Sequence, residues 1–290
     1  MALEEAQDPH ITKKYQVARL VARGGMGRVL EARRRHDRRR VAIKVLHREL
    51  VEDACCRRQI QQEAEVLQMA AHPLVVKLID AGETAVGQPF LVLEWLEGRN
   101  LKHMIMQDGP LQLPRALPIF SSLLDALQLV HERGIVHGDL KPENVMVVKT
   151  RAGRECVRLL DFGISTLRQA EGASAEEVFG TPGYLAPELY MGKAPSPASD
   201  VYAAGIVLFE LLSGRSPFVG TTRSQLWHEQ VESELPRLSP WVSGADHTID
   251  GLIARALAVK PARRFASASD FKQQFRRALF ALGRRRAANE

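Results

Sequence analysis

What most limits the fold of this chain is where its periodicities fall. Residues 15–93 read mostly as strand, and from Leu101 onward the pattern is predominantly helical. Residues 15–20 alternate apolar and polar, while residues 28–32, 41–46, 75–79 and 90–93 are rich in β-formers. One helical stretch interrupts them at residues 53–71, where Ile60, Ala64, Leu67 and Ala71 recur on one face until His72-Pro73 ends the run. Further on, residues 116–131 read as a helix and residues 145–149 as a strand. Ser199-Asp200 opens an apolar helix that Gly214 closes, and residues 267–282 form a last amphipathic helix with Phe271, Phe275 and Leu279 on one face. Strands first and helices after predict an α+β protein of two lobes, not one α/β sheet.

Charge and cysteine content exclude several classes. The net charge of +6 is concentrated in residues 33–40 (RRRHDRRR) and 284–286. Neither run has interleaved aromatics or a nucleic-acid motif nearby, so the first reads as a solvated hairpin turn and nucleic acid is not an expected partner. Three cysteines, with Cys55 and Cys56 adjacent, make neither a disulfide framework nor a zinc set and read as reduced thiols. The first residues are polar and acidic, unlike a signal peptide, and no apolar run approaches a membrane span. The expectation is a cytoplasmic protein.

Chemistry-bearing residues fall in an ordered series. Residues 22–29 (ARGGMGRV) lie between two strands, and glycines there would let backbone amides approach phosphates, although taken alone a glycine-rich hairpin turn is the commoner explanation. Val41-Ala42-Ile43-Lys44 then places a lysine in an otherwise buried-looking strand. A buried ammonium needs a partner, which Glu63 on the following helix can supply, with Glu65 as a rival. His137-Gly138-Asp139-Leu140-Lys141-Pro142-Glu143-Asn144 gathers a carboxylate, an ammonium and a carboxamide on a loop between regular elements, where catalytic groups tend to sit. Leu159-Leu160-Asp161-Phe162-Gly163 puts a carboxylate at a strand end, and residues 180–188 (GTPGYLAPE) follow.

In this order the motifs resemble the eukaryotic-type protein kinases over about residues 15–280, the serine/threonine branch in particular, and in style its bacterial members. The resemblance implies a bilobal kinase fold: an extension at 1–12, a small antiparallel β-rich lobe with one main helix at 13–95, a larger helical lobe at 96–283, and a basic tail at 284–290. It implies ATP as cofactor with Mg²⁺, Mn²⁺ being the alternative ion, and protein substrates with Ser/Thr acceptors, the chain itself included. Homodimerisation is left open.

Carried over residue by residue, the resemblance gives Ala22, Gly24, Gly25, Gly27 and Val29 to the phosphate-covering loop and adenine contact, with Ala42, Leu93, Glu94, Leu96, Asn100 and Met146 completing the nucleotide site. Lys44 would bridge phosphates and pair with Glu63, Asp139 would serve as catalytic base and Lys141 would meet the γ-phosphate. Asn144 and Asp161 would hold the metal. Lys141 and Thr181 favour Ser/Thr over Tyr acceptors. Leu67, Leu78, His137 and Phe162 would form an apolar stack. Asp200 would anchor the catalytic-loop backbone, and Glu188 would pair with Arg264.

Two residues depart from the family pattern. Ala22 stands where the first loop glycine is usual. Gly138 replaces the Arg that in most relatives receives an activation-loop phosphate. Without that side chain, phosphorylation of Ser165, Thr166 or Ser174 should have little leverage on Asp139, unless Arg158 or Arg168 takes the phosphate instead. The rival readings are a pseudokinase that signals by contacts and a small-molecule kinase. The intact Lys44, Asp139 and Asp161 disfavour the first, and the intact residues 180–188 disfavour the second.

Overall fold

The structure is a computed structural model that describes residues 7–162, 180–235, 237–242 and 245–289, with backbone alone from 283 onward. Gly163, Ser165, Thr166, Arg168 and Ser174 lie outside the described residues. Two compact units divide the chain between Glu97 and Gly98.

The first unit begins with a short helix, α1 (Pro9–Thr12), followed by the strands β1 (Tyr15–Arg23), β2 (Gly27–Arg34) and β3 (Arg40–Leu46). Helix α2 (Ala54–Met69) then leads to β4 (Leu78–Glu83) and β5 (Pro89–Glu94). The strands make one antiparallel sheet in the order β1-β2-β3-β5-β4. Ile11, Tyr15, Leu30, Ala32, Val41, Ile43, Val45, Phe90 and Val92 form its core. Burying this cluster at about 25 cal/mol per Å² of apolar surface is the unit's main stabilising term.

Local chemistry accounts for the elements. Asp53 caps α2 by accepting from the amides of Cys55 and Cys56 at 2.7 and 3.1 Å. The arginine run is a hairpin turn, as expected: Arg34 pairs with Asp37, and Arg38 takes a left-handed φ of 60°. All three cysteines are free thiols.

Several sequence expectations need correction. The strand expected at 75–79 starts at Leu78, because Val75 belongs to the turn after His72-Pro73, donating to the His72 carbonyl at 3.0 Å. Val75 and Val76 are apolar because they are buried, not because they are paired. Ala71 lies past the end of α2 and is exposed, so the inward face is Ile60, Glu63, Val66 and Leu67. Residues 9–12, assigned to an extension, form a helix whose Ile11 is 0% exposed in the core.

The second unit contains β6 (Gly98–Asn100), α3 (Leu101–Asp108), α4 (Leu113–Glu132), β7 (Val145–Lys149) and β8 (Glu155–Leu159). It continues with α5 (Pro187–Tyr190), α6 (Pro197–Ser213), α7 (Arg223–Glu232), α8 (His247–Ala256) and α9 (Ala268–Asn289). A small sheet, β6-β7-β8, lies beside the helices.

At its centre α4 packs against α9, with Phe120 edge-on to Phe271 and Phe275 at 5.3 and 5.2 Å. By length and composition alone α4 could cross a membrane, contrary to the sequence expectation of no such run. Most of its apolar positions from Ala116 through Val130 are buried in this unit, with Leu117 and Leu129 half-buried. Helix α6 starts two residues before Ser199, with Ser196 and Ser199 forming a capping box, and Gly214 closes it at φ 72°. Helix α9 runs on through the residues expected to be a tail.

Candidate active site

In the first unit, strand register determines which side chains share a face. Val29 pairs with both Ala22 and Lys44, while Ala42 pairs with Leu93. Residues opposite one another, or two apart on one strand, point the same way. Ala22, Val29, Ala42, Lys44 and Leu93 therefore line one sheet face, and Leu30, Ile43 and Val45 turn to the core on the other. Helix α2 meets the first face with Glu63, whose two carboxylate oxygens each accept from Lys44 Nζ at 2.8 Å. Glu63 is only 5% exposed and Lys44 20%, so the ammonium offsets a carboxylate that could not stay charged there alone. Glu65, its rival in the sequence, is exposed.

The glycine-rich turn joins β1 to β2. A Cβ on Gly27 would lie 2.3 Å from the Val45 carbonyl oxygen, so the close approach that demands glycine is to β3. Gly24 and Gly25 face no such obstruction. Glu94 ends β5 and accepts from the Lys77 amide at 2.9 Å, and Leu96 follows the strand.

In the second unit, the loop after α4 carries Asp139, Lys141 and Asn144 into β7. Gly138 adopts a φ of 73°, a left-handed backbone that favours glycine whatever else its missing side chain does. Asp139 accepts through both oxygens. Oδ1 takes the Thr181 amide at 3.0 Å and the Thr181 hydroxyl at 2.9 Å, and Oδ2 takes Lys141 Nζ at 2.6 Å. Lys141 Nζ also donates to the Thr181 hydroxyl at 2.6 Å. Asn144 Nδ2 donates to the Asp139 carbonyl at 2.9 Å and more weakly to Oδ2 at 3.3 Å. The structure thus brings Asp139, Lys141, Asn144 and Thr181 into one cluster.

Asp200, at the start of α6, holds that loop from beneath. Its carboxylate accepts from the amides of His137 and Gly138 at 2.8 and 2.9 Å, and from His131 Nε2 at 2.7 Å. Burial alone would push this carboxyl up, but the His131 hydrogen bond and the nearby charges outweigh it and hold it below the usual carboxylate range. His137 is fully buried, its ring centroid 5.0 Å from that of Phe162, and Nε2 donates to the Leu160 carbonyl at 3.1 Å. Burial pushes its imidazole below the ordinary value. Asp161 follows β8 with φ 45°, a backbone strain of order 1–3 kcal/mol that Asp tolerates better than most residues.

The remaining assigned residues divide into two groups. Arg264 and Glu188 make a buried bidentate pair at 2.6 Å, and the carbonyls of Ala258, Ala198 and Val259 take the other guanidinium protons. Asn100 pairs with Met146 across β6 and β7, and its side-chain oxygen caps α3 by accepting from the His103 amide at 2.8 Å.

Three contacts had no sequence signal: the His131 bond to Asp200, the Tyr184 hydroxyl shared between both Glu210 oxygens at 3.0 Å, and the His47 ring 2.9 Å from the Gly24 carbonyl. Each joins residues of unrelated motifs, so no spacing marks them.

The sheet with its Lys–Glu pair and the carboxylate–lysine–carboxamide loop are together the architecture of a protein kinase. The chain belongs to that family, whose protein kinase domain matches residues 15–276. The family uses ATP and a divalent cation. Among its relatives, the serine/threonine-protein kinase pkn3 of Myxococcus xanthus is 35% identical over 91% of this chain. PknB of Mycobacterium leprae is 33% identical over 91%, and a probable serine/threonine-protein kinase of Corynebacterium efficiens is 34% identical over 90%. The chain spans 50%, 43% and 40% of those three proteins' own lengths. The crystal structure of the Mycobacterium tuberculosis PknI kinase domain matches 96% of this chain at 28% identity with a TM-score of 0.72, all of that chain being covered.

Proposed function

We propose that the chain is an ATP-dependent kinase that phosphorylates Ser and Thr hydroxyls of proteins, itself among them. The observation carrying this reading is the Thr181 hydroxyl, which donates to Asp139 while accepting from Lys141. An alcohol held in this way stands as an incoming Ser or Thr hydroxyl would, its proton directed at a carboxylate and its oxygen beside an ammonium. Asp139 orients the acceptor and takes its proton, Lys141 offsets charge on the transferring phosphoryl group, and Lys44 steadied by Glu63 offsets charge on the triphosphate.

The residues present fit a magnesium ion. Asn144 spends its amide nitrogen on the Asp139 carbonyl, which leaves its oxygen as the ligand atom, and Asp161 adds a carboxylate. No cluster of three or more His, Cys, Asp or Glu side chains stands ready for a metal among the described residues, so phosphate oxygens and water would complete the shell, as Mg²⁺ prefers. Bound there, the ion neutralises phosphate charge. Gly138 supports one finer point: with glycine favoured by the backbone and no guanidinium at this position, activity does not depend on phosphorylation of residues 165, 166 or 174.

The test is transfer of radiolabelled phosphate from ATP with Mg²⁺ to the chain itself and to a generic basic protein. Label on Ser and Thr, absent in Asp139→Asn and absent without metal, is the expected result. Nucleotide binding without transfer in the wild type would favour a pseudokinase. Phosphatase-treated enzyme and a Ser165/Thr166/Ser174→Ala variant should both keep their initial rate. A large drop in both, restored by rephosphorylation of the wild type alone, would overturn the Gly138 argument.

A further inference from the structure

The glycine-rich turn is tied to the residue that follows β3 at two points. The His47 amide donates to the Met26 carbonyl at 2.9 Å, extending the β2–β3 ladder beyond its last pair. The ring then reaches past it, with Nε2 2.9 Å from the Gly24 carbonyl oxygen. That oxygen only accepts, so Nε2 carries the proton in this contact, as it does in the Nε2–H tautomer and in the imidazolium. Inside the turn, the Gly24 amide donates to the Gly27 carbonyl at 2.8 Å.

Two consequences follow from peptide geometry. A trans peptide points its N–H opposite to its C=O. Turning the Gly24 carbonyl onto His47 therefore aims the Gly25 N–H away from β3, and turning the Met26 carbonyl the same way does so for Gly27. Two glycines in succession otherwise leave the backbone at 24 and 25 very free, since neither would meet an obstruction even with a side chain. The His47 ring is a restraint on the part of the turn that strand pairing does not reach.

We propose that His47 is a positioning residue for nucleotide binding. It holds the Gly24 carbonyl so that the turn's amides are pre-set for a phosphate before nucleotide arrives. The inference rests on the kinase reading and adds a residue that the sequence motifs do not mark. It differs from the Lys44–Glu63 pair in acting through the backbone and not through charge. Pre-ordering acts on binding, because the cost of fixing a flexible turn is met in the free protein instead of on association. The step that follows binding should be nearly untouched.

The experiment is a fluorescent-ATP titration and steady-state kinetics on wild type, His47→Ala and His47→Gln, with Mg²⁺ present throughout. Gln places an amide nitrogen the same number of bonds from Cα as histidine Nε2, and so can restore the donor. His47→Ala is expected to raise Kd and KM for ATP about three- to tenfold, the range for one hydrogen bond, with kcat changed less than twofold. His47→Gln should return most of the affinity. Unfolding midpoints for the three proteins separate this from a loss of fold. Equal affinity of wild type and His47→Ala, or a loss in Ala that Gln does not repair, would overturn the inference and leave the kinase reading standing. A wild type that binds no nucleotide would overturn both.

Discussion

At the scale of single residues, the Lys44–Glu63 pair shows how a functional ion pair is also a structural one. Glu63 is almost fully enclosed, and its carboxylate leans on the Lys44 ammonium through both oxygens. Lys44→Met therefore does more than remove a phosphate contact. It leaves a buried carboxylate without that partner, a loss of about 1–3 kcal/mol. Adding Glu63→Gln should recover part of that stability without recovering phosphate transfer. Urea unfolding of both variants beside the radiolabel assay checks this. If Lys44→Met is as stable as wild type, the pair's structural role is wrong, and if it transfers phosphate normally, the catalytic one is. Much at this scale was legible, because charged residues in buried-looking contexts demand partners. Lys44 is paired with Glu63 that way, whereas the pairing of Glu188 with Arg264 rests on the family resemblance. What escaped were contacts made to backbone or by residues with several roles. His47 meets a carbonyl and His131 an aspartate far away in sequence, and neither a histidine just after a strand nor one near the end of a helix carries a mark of such a contact.

Elements were legible where pattern and burial agree, and missed where they part. β7 was read at its full extent because its apolar run is also a paired strand. Residues 75–79 were misread because Val75 and Val76 are buried in an irregular connection, and β-branched residues serve burial as readily as pairing. Helix α1 escaped because one turn is too short to show periodicity. Yet it is fixed at several points: Asp8 caps it and also accepts from the Ala85 amide at 2.8 Å, His10 Nδ1 lies 2.8 Å from the Glu83 carbonyl, and Ile11 enters the core. The turn it grips is held from the other side by Arg57 of α2, which donates to the Gly87 carbonyl at 2.7 Å and to Glu83 at 2.5 Å. Ile11→Ala should accordingly cost about 2–5 kcal/mol, the usual toll of emptying a filled core site. A shift of only a few tenths in the unfolding free energy would show that the helix is peripheral and that the assignment of residues 1–12 to an extension had been nearer the truth.

At the scale of the whole molecule, buried ionisable groups set how stability responds to acid. His137 is held neutral by burial, its folded value lying below the ordinary 6.5. The unfolded chain takes up a proton there that the folded one refuses, so stability falls as pH drops below about 6.5, by up to about 1.4 kcal/mol per pH unit until the folded value is reached. Asp200 works in the same sense at lower pH. With its folded value under 3.8, its contribution is complete above that and disappears as pH falls through the folded value. Glu210 opposes them: burial raises it above 4.5, so the folded protein gains from its protonation where the unfolded chain would still be ionised. The groups facing His137 are Asp200, Asp139, Asp161, the Leu160 carbonyl and the Phe162 ring, and a His137→Phe variant keeps all of them. That substitution removes the titration while keeping an aromatic ring against Phe162. The two bonds it loses, from Nε2 to the Leu160 carbonyl and from the Asp139 amide to Nδ1, cost the same while the folded imidazole stays neutral. Thermal midpoints of both proteins between pH 7.5 and about 5.5, at constant ionic strength, isolate the histidine. Wild type should lose more stability over that interval, and the gap between the two proteins should close as the pH falls. A gap independent of pH would mean that His137 accepts a proton in the folded protein as readily as in the unfolded chain.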